Sequence, residues 1–136
     1  MGRTPVPILT AAYTAILALL LVALSARVIQ LRYIFAVPLG DGGEQRLARA
    51  VRGQGNFAEY VPLALIAILC LELLGQPPWL IHATGVALVL GRVAHGICFA
   101  WCESAPGLRR AGMILTFAAL IIGALGNLAA VISRAF

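Results

Sequence analysis

Lysine is absent from this chain of 136 residues; all ten of its basic residues are arginine. Charge is scarce altogether, at 11% of residues against 62% hydrophobic, where a soluble domain carries about a quarter charged residues. A chain so poor in polar groups cannot cover a water-facing surface. That excludes a soluble globular domain and makes the lipid bilayer its natural solvent. The net charge of +5 raises the question of a nucleic acid or an anionic surface as partner. Nucleic acid is excluded, because the arginines are scattered among apolar runs instead of clustering on one soluble face. Cysteine is sparse too. Cys70, Cys98 and Cys102 are odd in number and lie in or beside apolar runs, which is no disulfide framework.

What the chain does have is apolar length. Four segments approach the roughly 20 residues needed to span a bilayer, at about 8–28, 57–74, 79–101 and 113–132. Residues 37–44 (Val-Pro-Leu-Gly-Asp-Gly-Gly-Glu) form a loop by their proline and glycines. Residues 75–78 (Gly-Gln-Pro-Pro) make a tight turn, and 103–107 (Glu-Ser-Ala-Pro-Gly) break the pattern before Arg109 and Arg110 open the last helix. No room remains for a soluble domain. The reading is an all-α membrane protein, a four-transmembrane-helix bundle forming one domain over residues 1–136.

A cleaved signal peptide fits the first segment poorly. Arg3 would serve as its basic start and Ala23 with Ser25 as a cleavage site, but more positive charge follows the segment (Arg27, Arg32) than precedes it. The first connection and its flanks hold Arg27, Arg32, Arg46, Arg49 and Arg52, and the third holds Arg109 and Arg110. The second connection has none, and the termini have one each, Arg3 and Arg134. The positive-inside rule then places both arginine-rich connections in the cytoplasm and both termini outside. Ala83, Ala87 and Gly91 recur at i+4, as do Ala119 with Gly123 and Gly126 with Ala130. Such small-residue spacing lets helices approach closely in lipid.

One stretch is polar where its neighbours are not. Residues 49–62 read Arg-Ala-Val-Arg-Gly-Gln-Gly-Asn-Phe-Ala-Glu-Tyr-Val-Pro, at the start of the second apolar run. At helical periodicity Arg49, Arg52, Asn56, Glu59 and Tyr60 fall within an arc of roughly 100°, with Gln54 on the other side. Ionisable groups are costly in hydrocarbon, so this face should look into the bundle or a water-filled cavity. Helix three adds Arg92, His95 and Phe99, with Glu59 a possible ion partner for Arg92. Forked guanidiniums suit carboxylates and Glu59 suits an ammonium, so the ligand type is a small molecule carrying both. His95, Cys98 and Cys102 lack a fourth ligand and a Cys-x-x-Cys motif, and are read as buried side chains and not as a metal site. His82 reads as interfacial, and Glu72 lies at the far end of helix two, away from the site.

Arg52-x-x-x-Asn56-x-x-Glu59-Tyr60-x-Pro62 on the second of four membrane helices resembles the signature of the MAPEG family, the membrane-associated proteins of eicosanoid and glutathione metabolism. Val37-x-x-Gly40-Asp-Gly-Gly43, Arg92-x-x-His95 and Leu108-Arg-Arg-x-Gly-Met113 resemble its bacterial branch. The likeness covers most of the chain. It implies a homotrimer that binds glutathione, as co-substrate, between subunits near the cytosolic face. Arg52, Asn56, Glu59 and Tyr60 would hold glutathione from one subunit, with Arg32 and Gln54 reaching it from the neighbour. Arg92 and His95 match the motif on helix three, and Arg109 or Arg110 matches the arginine that activates the thiol. The eukaryotic synthases have tyrosines where this chain has His95 and Phe99, and many relatives have a histidine at Gly55.

The function expected is a glutathione transferase or peroxidase of the bacterial inner membrane, with lipophilic electrophiles or hydroperoxides arriving from the lipid. A non-catalytic glutathione- or lipid-binding protein of the same fold is the alternative, motivated by Phe99. A small transporter is a third reading, opposed by the lack of polar residues continuing towards the outer side.

Overall fold

The computed structural model describes residues 6–102 and 104–135, so Arg3 and Glu103 lie outside the described residues. The chain runs through α1 (Ile8–Phe35), α2 (Gln45–Leu73), α3 (Pro78–Ala100) and α4 (Pro106–Ala135). Each is long and apolar enough to cross a membrane. These helices outrun the apolar segments at several ends. Hydropathy marks the length immersed in hydrocarbon, whereas backbone hydrogen bonding continues until a residue breaks it. α1 carries on through Arg32 and stops where Ala36 turns left-handed (φ 53°) and the Val37 N–H returns to the Arg32 carbonyl at 3.0 Å. Gly40, Gly42 and Gly43 then take positive φ, which glycine adopts without steric cost. α2 begins at Gln45 instead of near residue 57, so the polar stretch sits well inside a helix. Pro62 lies within it, removing one backbone hydrogen bond just beyond Tyr60.

Short connections make successive helices antiparallel. α2 and α3 touch each other and both outer helices, while α1 and α4 do not meet among the described residues. The cross-section is therefore a rhombus with α2 and α3 on its short diagonal. Leu17 and Leu24 of α1, Phe57, Val61, Ile68 and Leu71 of α2 and Leu88 of α3 fill the interior. Ile16, Leu19, Leu63, Ile121 and Leu125 remain exposed, as lipid-facing side chains should.

Helix ends buried in a bilayer need partners for their unpaired backbone groups, and here charged side chains from other helices provide them. The Glu72 carboxylate, at the end of α2, accepts from the Leu9 N–H (2.8 Å), the Thr10 N–H (2.7 Å) and the Thr10 hydroxyl (2.6 Å). A negative group at a helix N-terminus is doubly favourable, through those bonds and through the helix dipole. Glu72 thus has a structural task, and His82 has one beside it: its Nδ1 lies 2.7 Å from the Tyr13 hydroxyl. Arg134 donates to the Leu74 carbonyl just past α2. At the opposite end Arg27 donates to the Ala100 carbonyl at 3.0 Å, and Arg49 to those of Cys98 and Cys102 at 2.9 Å each. Arg49 is therefore committed to the end of α3, although helical periodicity grouped it with Arg52. A helical wheel gives the direction of a side chain but not how far an arginine reaches.

α3 and α4 make the closest crossing. A Cβ on Gly91 would meet the Gly112 carbonyl oxygen and the Thr116 hydroxyl, each at 2.9 Å, and one on Gly112 would meet the Gly91 carbonyl oxygen at 2.8 Å. Thr116 turns its hydroxyl back onto the Gly112 carbonyl (2.8 Å) and behaves as a small residue here. Gly91→Ala pushes backbone against backbone and should cost about 1–3 kcal/mol. Gly107→Ala, where nothing lies within 4 Å, should leave stability unchanged or slightly raised. Unfolding midpoints of the two variants in a denaturing-detergent titration check this.

Candidate functional site

Arg92 is the largest fully buried side chain, 1% exposed. Its Nη1 donates to the Asn56 side-chain carbonyl at 2.8 Å and its Nη2 meets the Met113 sulfur at 3.5 Å. The guanidinium lies 5.8 Å from the centre of the Tyr60 ring, within cation–π range, and Nε has no hydrogen-bond partner among the described residues. No carboxylate among the described residues comes within ion-pair distance of it. Three helices thus converge on one cation: α2 supplies Asn56 and Tyr60, α3 carries Arg92, and α4 brings Met113.

The expected partnership of Glu59 with Arg92 does not form. Glu59 pairs with Arg52 at 3.3 Å, and the two side chains are 51% and 63% exposed. Asn56 points inward while Arg52 and Glu59 point outward, so the polar arc divides between the bundle interior and its surface. Gln54 turns to α1, where its Nε2 donates to the Ser25 hydroxyl at 2.7 Å. Tyr60 packs edge-on against Phe117, ring centres 5.7 Å apart.

One turn beyond Arg92, His95 is buried and stacks on Phe99 at 4.6 Å with 19° between the planes. Arg49 and Arg109 also lie over the Phe99 ring, at 5.7 and 5.5 Å. Gly53 makes this possible: a Cβ there would sit 2.7 Å from the Phe99 Cβ. Phe99 therefore packs α3 against α2 and anchors two guanidiniums by their attraction to its ring.

Two clefts meet at Arg109. One, of about 260 Å³, is lined by Arg49, Cys98, Phe99, Ser104 and Pro106 together with Arg109. The other, of about 390 Å³, is formed by Arg109, Arg110, Met113, Ile114 and Phe117. Each is lined by two arginines, but the first is the more polar, whereas the second is walled largely by apolar side chains, of which Ile114 and Phe117 are exposed. Arg110 touches only the second. On the other flank Arg32 and Arg52 line one cleft of about 550 Å³ with Gly40, Asp41 and Gly55, so a single chain already brings these two arginines to a common cavity. Arg32 also holds the first connection, donating to the carbonyls of Val37 (3.3 Å) and Gly40 (2.9 Å).

The structure thus joins Asn56, Tyr60 and Arg92 directly, sets His95 and Arg109 one aromatic ring away, and places Arg52, Glu59, Arg32, Gln54 and Arg110 around the rim. Sequence reasoning missed Met113 and Phe117 as part of the site. Their spacing (i, i+4) and their place one turn after Arg109 were the available signal. The arrangement can hold an anion: the guanidiniums of Arg49, Arg109 and Arg110 line clefts with no carboxylate among their described lining residues. Removing the Asn56 carbonyl strips Arg92 of its strongest partner, and Asn56→Ala should cost about 3 kcal/mol of stability. Asn56→Asp, which keeps an acceptor and adds an anion, should unfold no earlier than the parent. Detergent unfolding midpoints distinguish the two.

A model of the MAPEG family matches residues 10–129. The inner membrane protein YecN of Escherichia coli is 37% identical over 124 residues, covering 88% of this chain and 89% of YecN, and YecN of a second E. coli strain gives the same values. With four candidate membrane spans, the Arg52-to-Tyr60 pattern on α2 and a family match over nearly its whole length, this chain belongs to the MAPEG family of membrane proteins.

Proposed function

We propose that this protein binds glutathione and raises the reactivity of its thiol towards a lipophilic electrophile or hydroperoxide, in the inner membrane where its relative YecN is named to reside. The observation that carries this reading is the position of Arg109 at the junction of a polar, cationic cleft and an apolar one open to lipid. A charged tripeptide suits the first, a lipid-soluble co-substrate the second, and the reacting atoms would meet beside the guanidinium. A cation in a site of reduced dielectric favours thiolate over thiol, lowering the thiol pKa by about 1–3 units. The thiolate sulfur then displaces a leaving group from the electrophile, forming a thioether and releasing the anion. With a hydroperoxide it attacks the outer oxygen, forming a sulfenic acid and an alkoxide that takes a proton to leave as the alcohol; a second glutathione then attacks the sulfenic sulfur, giving the disulfide and water.

Arg92 acts at one remove. Buried and unneutralised, it adds positive potential behind Tyr60 and His95 without being placed to touch a ligand. Between the two helix-four arginines, the geometry favours Arg109 as the activating group, because Arg110 lines only the apolar cleft.

The exposed Arg52–Glu59 pair supports a shared site between subunits. Glu59 lies roughly 20 Å along α2 at 1.5 Å per residue, within an apolar run where lipid is a poor neighbour for an ion pair. A second copy covering this face would remove the conflict, and the homotrimer is the assembly we propose, with the arginine-rich end in the cytosol. A non-catalytic binder is the second reading: Phe99 carries no hydroxyl and its ring is already occupied by His95 and two arginines.

Ultraviolet difference spectra of the purified protein titrated with glutathione test the proposal. A saturable thiolate absorbance is expected, with binding lost in Arg52→Ala. Arg109→Ala should retain binding but lose about tenfold or more of the thiolate at neutral pH, and Arg110→Ala should lose little. Saturable binding without thiolate would favour the non-catalytic reading; no binding, or equal thiolate in Arg109→Ala, would refute the assignment. Chemical cross-linking in the membrane should stop at three copies.

A further inference from the structure

A separate cluster of arginines lies where α1, α2 and the end of α3 meet. Arg27, Arg46 and Arg49 line a cleft of about 90 Å³ together with Phe99 and Trp101, and none of the described residues that line it is a carboxylate. Two of the three have tasks in the fold: Arg27 holds the Ala100 carbonyl and the Gln30 side chain, and Arg49 holds Cys98 and Cys102. Arg46 is exposed and donates to no protein acceptor among the described residues. We propose that this cleft binds the phosphate headgroup of an anionic phospholipid.

Three observations support this occupant. The space suits a phosphodiester group and not a peptide or a whole cofactor. Arginine is the residue whose forked donors match phosphate oxygens, and three come together here from two helices. Trp101, 51% exposed, stands at the end of a spanning helix, at the level where indole rings settle among headgroups. Basic pockets between membrane helices are a recurring way of holding anionic lipid. The inference does not depend on thiol chemistry, although this cleft shares Arg49 and Phe99 with the first Arg109 cleft. It does bear on that cleft, because Arg49 lies over Phe99, whose ring also carries Arg109.

Native mass spectrometry of the complete protein in neutral detergent tests it, with phosphatidylglycerol, phosphatidylcholine or inorganic phosphate added. One phosphatidylglycerol should be retained per chain and phosphatidylcholine should not. Arg46→Gln should cut phosphatidylglycerol occupancy about fivefold to tenfold while unfolding at the parent midpoint in phosphatidylcholine, because Arg46 makes no hydrogen bond or ion pair among the described residues. Equal retention of the two lipids, or unchanged phosphatidylglycerol occupancy in Arg46→Gln, would overturn the proposal. Complete displacement of the lipid by millimolar inorganic phosphate would also overturn it, by assigning the cleft to a free anion.

Discussion

A guanidinium buried among three helices, facing an amide and not a carboxylate, sets the terms for this molecule. Taking Arg92 out of water costs several kcal/mol even after relaxation, and the Asn56 carbonyl, the Met113 sulfur and the Tyr60 face offset it only in part. The remaining positive potential extends through the bundle towards Phe99 and the start of α4. Around it, His95 is stacked on Phe99, Glu59 pairs with Arg52 instead of Arg92, and Arg109 is held against the same aromatic ring.

Four further charges serve helix termini. In lipid no water satisfies the first N–H groups or the last carbonyls of a helix, and short connections leave little loop to cap them. Glu72 does this for α1, Arg134 for α2, and Arg27 with Arg49 for α3. Arginine fits the role because its long apolar stem crosses to a neighbouring helix while its head donates to several carbonyls. Arg27 and Arg49 thus serve twice, once to close a helix and once to shape the field at the arginine-rich end.

Much of this was legible in the sequence. The four spans stood out because apolar runs are long and their breaks are rich in proline and glycine. Asn56, Tyr60 and Arg92 could be placed on facing sides because polar residues are so rare that each one counts. Helix ends were less legible, since hydropathy follows the bilayer and not the hydrogen-bond ladder. So α2 begins at Gln45, well before its apolar run. The partners of Arg49 and Glu59 could not be read from periodicity, which ignores side-chain length and the competition of a neighbouring arginine. The close crossing at Gly112 escaped notice because its i+4 companion is Thr116, small only once its hydroxyl has folded onto the backbone.

The Gly91–Gly112 crossing also determines how such a site can diversify. Arg92 follows Gly91 in the chain, and Arg109 lies about one turn before Gly112, so backbone contact alone fixes the spacing of the two cations. Met113, Ile114 and Phe117 project from the same helix without taking part in that contact. The wall of the apolar cleft can therefore be recut, larger or smaller, while the spacing of the charges stays as it is. One helix thus holds the spacing of the cations constant and leaves free the apolar wall beside them.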